Sequence, residues 1–329
     1  MTAPTLPSPA SGGGKSNRLE VGLGLQGNKT PDEYAKIAKL AEEYGFDVLT
    51  VFSDLTYQPA IVPLMAAALN TSRIRLGPAC LNPFTLHPVE IAGQVAALDF
   101  ASNGRAYLGL ARGAWLEKIG IQPARPVRAL REAAEIVRLL LARDLGGYGG
   151  EIFSVAPGTT VQFDVERSRV PLLIGTWSPK TAALAGEIAD EVKIGGGANP
   201  AMVRRMRGLI DVGTTHAGRS SDEVGIVVGA VTVVAEDDAA ARRLARSAVA
   251  MYLDIVSRLD PTTERPTGEV ISDDMLDRFA MAGTPEQVAE QARALFEAGA
   301  SRVEFGSPHG LAAEAGIRLL GERVLPRLR

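Results

Sequence analysis

A single cysteine, Cys80, in 329 residues excludes an internal disulfide and any metal site built from several thiolates. No block of basic residues occurs, and a net charge of −3 offers no general attraction to nucleic acid or to an anionic membrane. The longest apolar run, 224–235, is too short to span a bilayer and is heavily β-branched. Aromatic residues make up 5% of a chain that is 46% apolar, so its core must rest on Ala, Val, Leu and Ile. That composition suits parallel strands buried on both faces and wrapped in Ala-rich helices. Residues 1–17, MTAPTLPSPASGGGKSN, lack an apolar signal-peptide core and are expected to form a disordered tail ahead of one domain spanning 18–329. Within the tail, Gly14-Lys15-Ser16 mimics the end of a phosphate-binding loop, but Pro9 stands where that motif needs glycine and no strand precedes it. The expectation is a cytoplasmic enzyme with a small-molecule substrate, and with neither nucleic acid nor membrane as partner.

From residue 18 onward, short apolar runs alternate with helical stretches. Strands are predicted at 19–25, 47–52, 73–81, 105–111, 170–175, 191–194, 224–235 and 302–305. Helical patterns follow each of them, the last ones at 273–281, 285–298 and 311–320. Thr30-Pro31 and Thr284-Pro285 carry the N-cap and first-turn signals of helix starts. The Gly-rich stretch 145–165 is an insertion after the fourth helix, with room for a small hairpin. The polar stretch 259–271 is an excursion after the seventh strand. Strands that each lead into a helix argue for a parallel sheet, and eight of them can close a barrel with a filled interior. The predicted fold is therefore α/β, a (β/α)8 TIM barrel with insertions after helix 4 and strand 7. A doubly wound open sheet is the alternative, because periodicity does not show closure.

In such a barrel the chemistry lies in the loops after the strands. Those loops contain Ser53-Asp54 after strand 2, Asn82 to Pro88 after strand 3, and Arg112-Gly113-Ala114-Trp115 after strand 4. Gly175-Thr176-Trp177-Ser178 follows strand 5, Gly195-Gly196-Gly197 strand 6, and Gly306-Ser307-Pro308-His309 strand 8. Three consecutive glycines, a Thr, a Ser and two helix starts, at Ser178-Pro179 and Asn199-Pro200, have the chemistry of an anion site. The same residues also suit plain tight turns. Arg112 can reach a phosphate with a bidentate fork or pair across the mouth with Asp54 or Glu117. Of the three histidines, His87 and His309 lie at strand exits, whereas His216 ends a helix on the surface.

The stretch from LGPACLNPFTLHPVEIAG to YLGLARGAWLEKIGI resembles the strand-3 to strand-4 core of the bacterial-luciferase-like superfamily. VPLLIGTWSPKTAALAGEIADEVKIGGG and VEFGSPHG resemble its later units. Within the superfamily the chain is most similar to oxidoreductases that use the deazaflavin coenzyme F420, of the methylenetetrahydromethanopterin reductase type. Asn-Pro-x-Thr-x-His-Pro at 82–88 carries the narrower match. The resemblance implies F420, or alternatively FMN, at the barrel mouth, with its phosphate near Gly175, Thr176, Ser178 and Gly195 to Gly197. It also implies a non-proline cis peptide between Ala79 and Cys80 behind the ring, with Ser53, Asp54, Asn82, Arg112, Gly113 and Trp177 completing the cofactor site. Hydride transfer is the implied reaction, and Asp54, His87 and His309 are the candidate proton-handling groups. The acids and the histidine usual in relatives are absent: Gly24, Leu55 and Ala114 stand in their places. A flavin monooxygenase and a non-catalytic cofactor-binding barrel are therefore the rival readings. The family's habit of pairing helices 1 to 3 implies a homodimer.

Overall fold

The computed structural model describes residues 19–263 and 271–329. The predicted tail at 1–17 and most of the predicted excursion at 259–271 therefore lie outside the described residues. The strands, in chain order, are β1 (Glu20–Leu25), β2 (Val48–Phe52), β3 (Arg75–Ala79) and β4 (Leu108–Ala111). A two-stranded hairpin, β5 (Tyr148–Gly149) with β6 (Ser154–Val155), precedes β7 (Leu172–Gly175), β8 (Glu191–Gly195) and β9 (Gly225–Val234). Then come β10 (Ala280–Gly283) and β11 (Arg302–Gly310). All pairings except the hairpin are parallel, and the main sheet runs β3-β2-β1-β11-β9-β8-β7-β4. The ends of that row meet: Tyr107 donates its N–H to Leu76 O and Leu81 donates to Gly109 O, each at 2.9 Å. The sheet is thus a closed barrel, and the open doubly wound alternative is excluded.

Helices pack outside each crossover: α1 (Pro31–Tyr44), α2 (Ile61–Ala68), α3 (Pro88–Ala101), α4 (Pro126–Leu141), α5 (Pro179–Ile188) and α6 (Pro200–Ala217). The seventh crossover holds α7 (Asp238–Ala250), α8 (Leu253–Leu259) and α9 (Asp273–Phe279), and α10 (Pro285–Glu297), α11 (Ala313–Leu319) and α12 (Leu325–Leu328) follow. The Thr30 and Thr284 starts form full capping boxes, in which side chain and backbone N–H groups satisfy one another. The insertion after α4 does contain a hairpin. Buried Glu132 holds it by accepting the N–H groups of Glu151, Ile152 and Phe153 at 2.9–3.0 Å. Besides element ends that shift by up to three residues, two differences from the sequence expectation stand out. The helix predicted at 273–281 ends at Phe279, and Ala280–Gly283 instead adds a parallel strand to the far end of β9. Four apolar residues, Ala280 to Gly283, are too few to give a period by which to tell strand from helix. The predicted loop 306–309 is a bulged continuation of β11.

Two cores result. The layer between strands and helices is built from Ala, Val, Leu and Ile, as composition implied. The barrel interior is different. Val48, Leu173 and Val227, from β2, β7 and β9, cluster with Tyr107, which directly precedes β4, inside the barrel. Thr50, Lys193, Glu304 and Arg302 share the interior and are all buried. Inward-facing glycines make space for them. A Cβ on Gly22 would stand 2.7 Å from Glu304 Cγ, and one on Gly77 would stand 2.4 Å from the Tyr107 ring.

Behind β7 and β8, helices α5 and α6 touch backbone to backbone. A Cβ on Gly213 would lie 1.8 Å from the Ala183 carbonyl oxygen, and one on Gly186 would lie 2.3 Å from that of Ile210. Gly213→Ala must force these helices apart and is expected to cost about 1–3 kcal/mol, read as a lowered urea midpoint. An unchanged midpoint would show that the close approach is not needed.

Candidate active site

The mouth is lined by the strand exits. On one wall the Ala79–Cys80 peptide is cis, as the resemblance implied. Ser53 donates its N–H to the Ala79 carbonyl at 3.3 Å, tying the β2 exit to this wall. Cys80 faces the barrel axis, where a Cβ on Gly175 would come within 2.8 Å of its sulfur. Burial pushes the thiol up to about 12, so Cys80 is a neutral wall residue at neutral pH and not a nucleophile. Asn82 accepts the N–H groups of Phe84 and Thr85 and the Thr85 hydroxyl at 3.0–3.1 Å, which holds the turn leading to α3. Gly113 packs against it, its φ of 86° closed to most side chains. Arg112 is exposed and makes no ion pair among the described residues, with either Asp54 or Glu117.

The anion-site reading becomes narrower. At α6 the Asn199 side chain already caps the helix by accepting from Ala201 N–H at 3.0 Å, and its amide bonds Asp260, Thr262 and Thr263. Buried and fully engaged, that helix start is closed. At α5, in contrast, Ser178 is exposed and its hydroxyl makes no capping bond. Thr176 orders this turn by accepting Ser178 N–H at 2.9 Å. Across from it, a Cβ on Gly195 would meet nothing within 4 Å. Gly196 has a φ of 79°, and α8 covers it, Val256 lying 3.1 Å from where a Cβ would stand. Trp177 bridges the two turns: its indole N–H donates to Gly195 O at 3.0 Å and its ring lies on Gly197. The open helix start, the hydroxyl and the glycine backbone converge at β7 and β8.

The three candidate proton carriers do not converge. Asp54 is partly buried at the rim and accepts the Gln26 amide at 3.1 Å. Burial raises its carboxyl above the ordinary value, while the Gln26 bond and Lys193 oppose the rise. His87 is the N-cap of α3, its ring nitrogen accepting Val89 N–H at 3.2 Å, with Phe153 edge-on at 5.5 Å. His309 is 1% exposed at the β11 bulge, its Nε2 bonded to Gly24 O at 3.0 Å while Nδ1 has no partner. The bonded nitrogen must carry the proton, because a carbonyl only accepts. Burial lowers its pKa to about 4, so the ring is neutral and locks β11 to β1. His309 is thus closed off from the mouth, while His87 is exposed and spends one ring nitrogen on capping α3.

The residues missed from sequence are those beneath the mouth. Glu304 pairs with Lys193 on one side and with Arg302 Nε at 3.0 Å on the other. Thr50 donates to the same carboxylate at 3.0 Å and exchanges a 2.7 Å bond with Tyr107. Burial pushes the Glu304 carboxyl up, but Lys193 and Arg302 outweigh this and keep it ionised. Charged residues at alternate positions of apolar strands, Glu191 with Lys193 and Arg302 with Glu304, were the available signal. Among the described residues no cluster of His, Cys, Asp or Glu could hold a metal ion, and no helix is long and apolar enough to cross a membrane.

His309 generates a pH prediction. Its folded pKa lies below the unfolded value near 6.5, so its contribution to stability is complete above that value and is lost as pH falls toward 4. The loss is roughly 3 kcal/mol if the ring stays neutral throughout. His309→Asn, which tolerates the left-handed backbone there, is expected to flatten the change in unfolding midpoint between pH 6.5 and 4. A wild-type midpoint that does not move across that range would contradict the assignment.

A family model described as luciferase-like monooxygenase matches residues 12–302. The 5,10-methylenetetrahydromethanopterin reductase of Archaeoglobus fulgidus is 32% identical over 319 residues, spanning 88% of this chain and 94% of that protein. An F420-dependent glucose-6-phosphate dehydrogenase from Microbacterium testaceum is 29% identical over 318 residues, 91% of this chain and 94% of the other. The solved structure of a coenzyme F420 dependent tetrahydromethanopterin reductase from Methanopyrus kandleri superposes with a TM-score of 0.86 at 27% identity, covering 95% of this chain and 100% of that one. With the closed barrel, the cis wall and a match of this extent together, the chain belongs to the luciferase-like monooxygenase family.

Proposed function

We propose that this protein is an F420-dependent oxidoreductase that moves a hydride between the deazaflavin and a small organic substrate at the barrel mouth. The observation that carries this reading is the uncapped start of α5 facing the open Gly195 backbone, beside the Ala79–Cys80 wall. That arrangement fits a phosphorylated, planar cofactor, and the F420-dependent enzymes among its relatives supply the cofactor's identity. Gly175, Thr176, Ser178 and Gly195 to Gly197 would hold the phosphate. Ala79 and Cys80 would back the ring, with Ser53, Asn82, Gly113 and Trp177 shaping the pocket.

When bound, the deazaflavin supplies a carbon centre that gives or accepts hydride. The chain's own part is to orient the substrate, exclude water and handle a proton. Asp54 is the group for that last role. It stands at a strand exit, and its burial favours the protonated form. The acid positions occupied by Gly24, Leu55 and Ala114 supply nothing, His309 is buried against Gly24 O, and His87 caps α3 with one ring nitrogen.

FMN is the second reading. It is favoured by Arg112, exposed beside Gly113 with no ion pair among the described residues and thus free to meet a phosphate. A second copy of the chain would cover α2 and α3, with Val62 and Leu69 exposed there.

Titration of the apo-protein with F420 and with FMN separates the cofactors, and tight F420 binding is expected. Ser178→Asp sets a negative charge at the open helix start and is expected to weaken binding at least tenfold. Retained affinity in that variant would remove the phosphate from α5. Asp54→Asn is expected to abolish the fall in turnover that wild type shows as pH rises through the raised carboxyl pKa. Failure of F420 to bind wild type would reject the proposal.

A further inference from the structure

A ladder of charges runs down the inside of the barrel. From the mouth, Lys193 pairs with Glu304, and Glu304 with Arg302 Nε at 3.0 Å. Arg302 pairs in turn with Glu191 at 3.1 Å, and Arg75 with Glu20 at 2.5 Å near the base. The ladder is uneven. At its upper end a single carboxylate, Glu304, faces two cations, and all three side chains are at most 5% exposed. The compensating carboxylates, Glu191 and Glu20, lie lower, where their side chains are 12% and 32% exposed. The three cations and three carboxylates balance. The charge that reaches the mouth most strongly is that of Lys193, which outweighs the opposing Glu304 at Cys80, inside a medium that screens it poorly.

The end of Lys193 lies close beneath the cofactor wall. Its Nζ is 5.5 Å from the centre of the Phe52 ring, the last residue of β2 before Ser53 and Asp54. Its charge reaches both sides of the mouth, opposing the rise of the Asp54 carboxyl and of the Cys80 thiol. Substitution of Gly229 would crowd it, since a Cβ there would lie 3.1 Å from Lys193 Cε. The ammonium is thus held by Glu304 in the space that Gly229 leaves free.

We infer that Lys193 is a positioning residue whose fixed positive charge, set below the Ala79–Cys80 wall, favours the reduced over the oxidised cofactor. This rests on the hydride-transfer reading above. A hydride carries one proton and an electron pair, so the acceptor ring becomes more negative by one charge and the donor substrate more positive by one. A buried cation under the acceptor stabilises that added charge without moving, the form of electrostatic help that preorganised sites provide. Lys193 touches no reacting atom in this role. It acts through the field at the mouth and through the ionisation of Asp54.

The test compares the affinities of oxidised and reduced F420 for wild type, Lys193→Met, Lys193→Arg and the double variant Lys193→Met/Glu304→Gln. The double variant removes both partners, so it guards against misfolding caused by an unbalanced Glu304. Wild type is expected to bind the reduced form preferentially. Lys193→Met and the double variant are expected to lose at least tenfold of that preference, about 30 mV in the potential of the bound two-electron couple, and Lys193→Arg to restore most of it. A folded Lys193→Met or double variant that keeps the wild-type ratio would overturn the inference and leave Lys193 a filler of the barrel. Absence of F420 binding to wild type would instead reject the cofactor assignment.

Discussion

The carboxylate of Glu304 stands wholly inside the barrel, shared between Lys193 and Arg302 and further bonded by Thr50. Removing such charges from water is expensive, and only mutual pairing and complete hydrogen bonding offset the cost. The pairing is met and the hydrogen bonding only in part: Arg302 Nε and Nη2 and Glu191 Oε2 are buried without a hydrogen-bond partner, although the surroundings make room for the network. Gly22 and Gly77 surrender their side-chain space to Glu304 and Tyr107, the Tyr107 ring lies 5.3 Å from the Arg302 guanidinium, and Thr50 relays Tyr107 to the carboxylate. An aliphatic interior would pack more simply. The one present places oriented charge directly below the mouth where the cofactor is proposed to sit.

The mouth itself shows how similar sequence signals diverge under tertiary packing. Ser178-Pro179 and Asn199-Pro200 look alike as helix starts. The fold closes one and opens the other: Asn199 is buried under Asp260, Thr262 and Thr263, while Ser178 keeps its hydroxyl free at the surface. Anion binding at a helix start needs unsatisfied N–H groups that a ligand can reach. Only α5 retains them here. The seventh crossover, carrying Tyr252 and Val256 over Gly196, is what makes the two starts unequal.

Proton handling illustrates the opposite limit. A histidine at a strand exit is a reasonable general acid by type, and position alone put His309 at the mouth. Continuation of β11 through a bulge turns its ring back onto Gly24 O, and burial then makes protonation unfavourable. His87 spends one ring nitrogen on starting α3. Asp54, whose neighbours leave its carboxyl part-buried and able to hold a proton, is what remains at the rim.

Neighbouring residues alone were enough to read the alternation of strand and helix, the capping boxes at Thr30 and Thr284, the hairpin insertion and, through the strand-exit motifs, the family and its cis wall. These are local or nearly local properties: hydrophobic period, cap chemistry and turn residues act over a few positions, so they can be read from neighbours in the chain. Barrel closure, the ion pairs of Lys193, Glu304 and Arg302, the burial of His309 and the inequality of the two helix starts were decided only by tertiary structure. Each depends on residues that are distant in the chain and adjacent in space. For charged groups the decisive quantity is the presence of a partner once water is gone, and the fold alone supplies it.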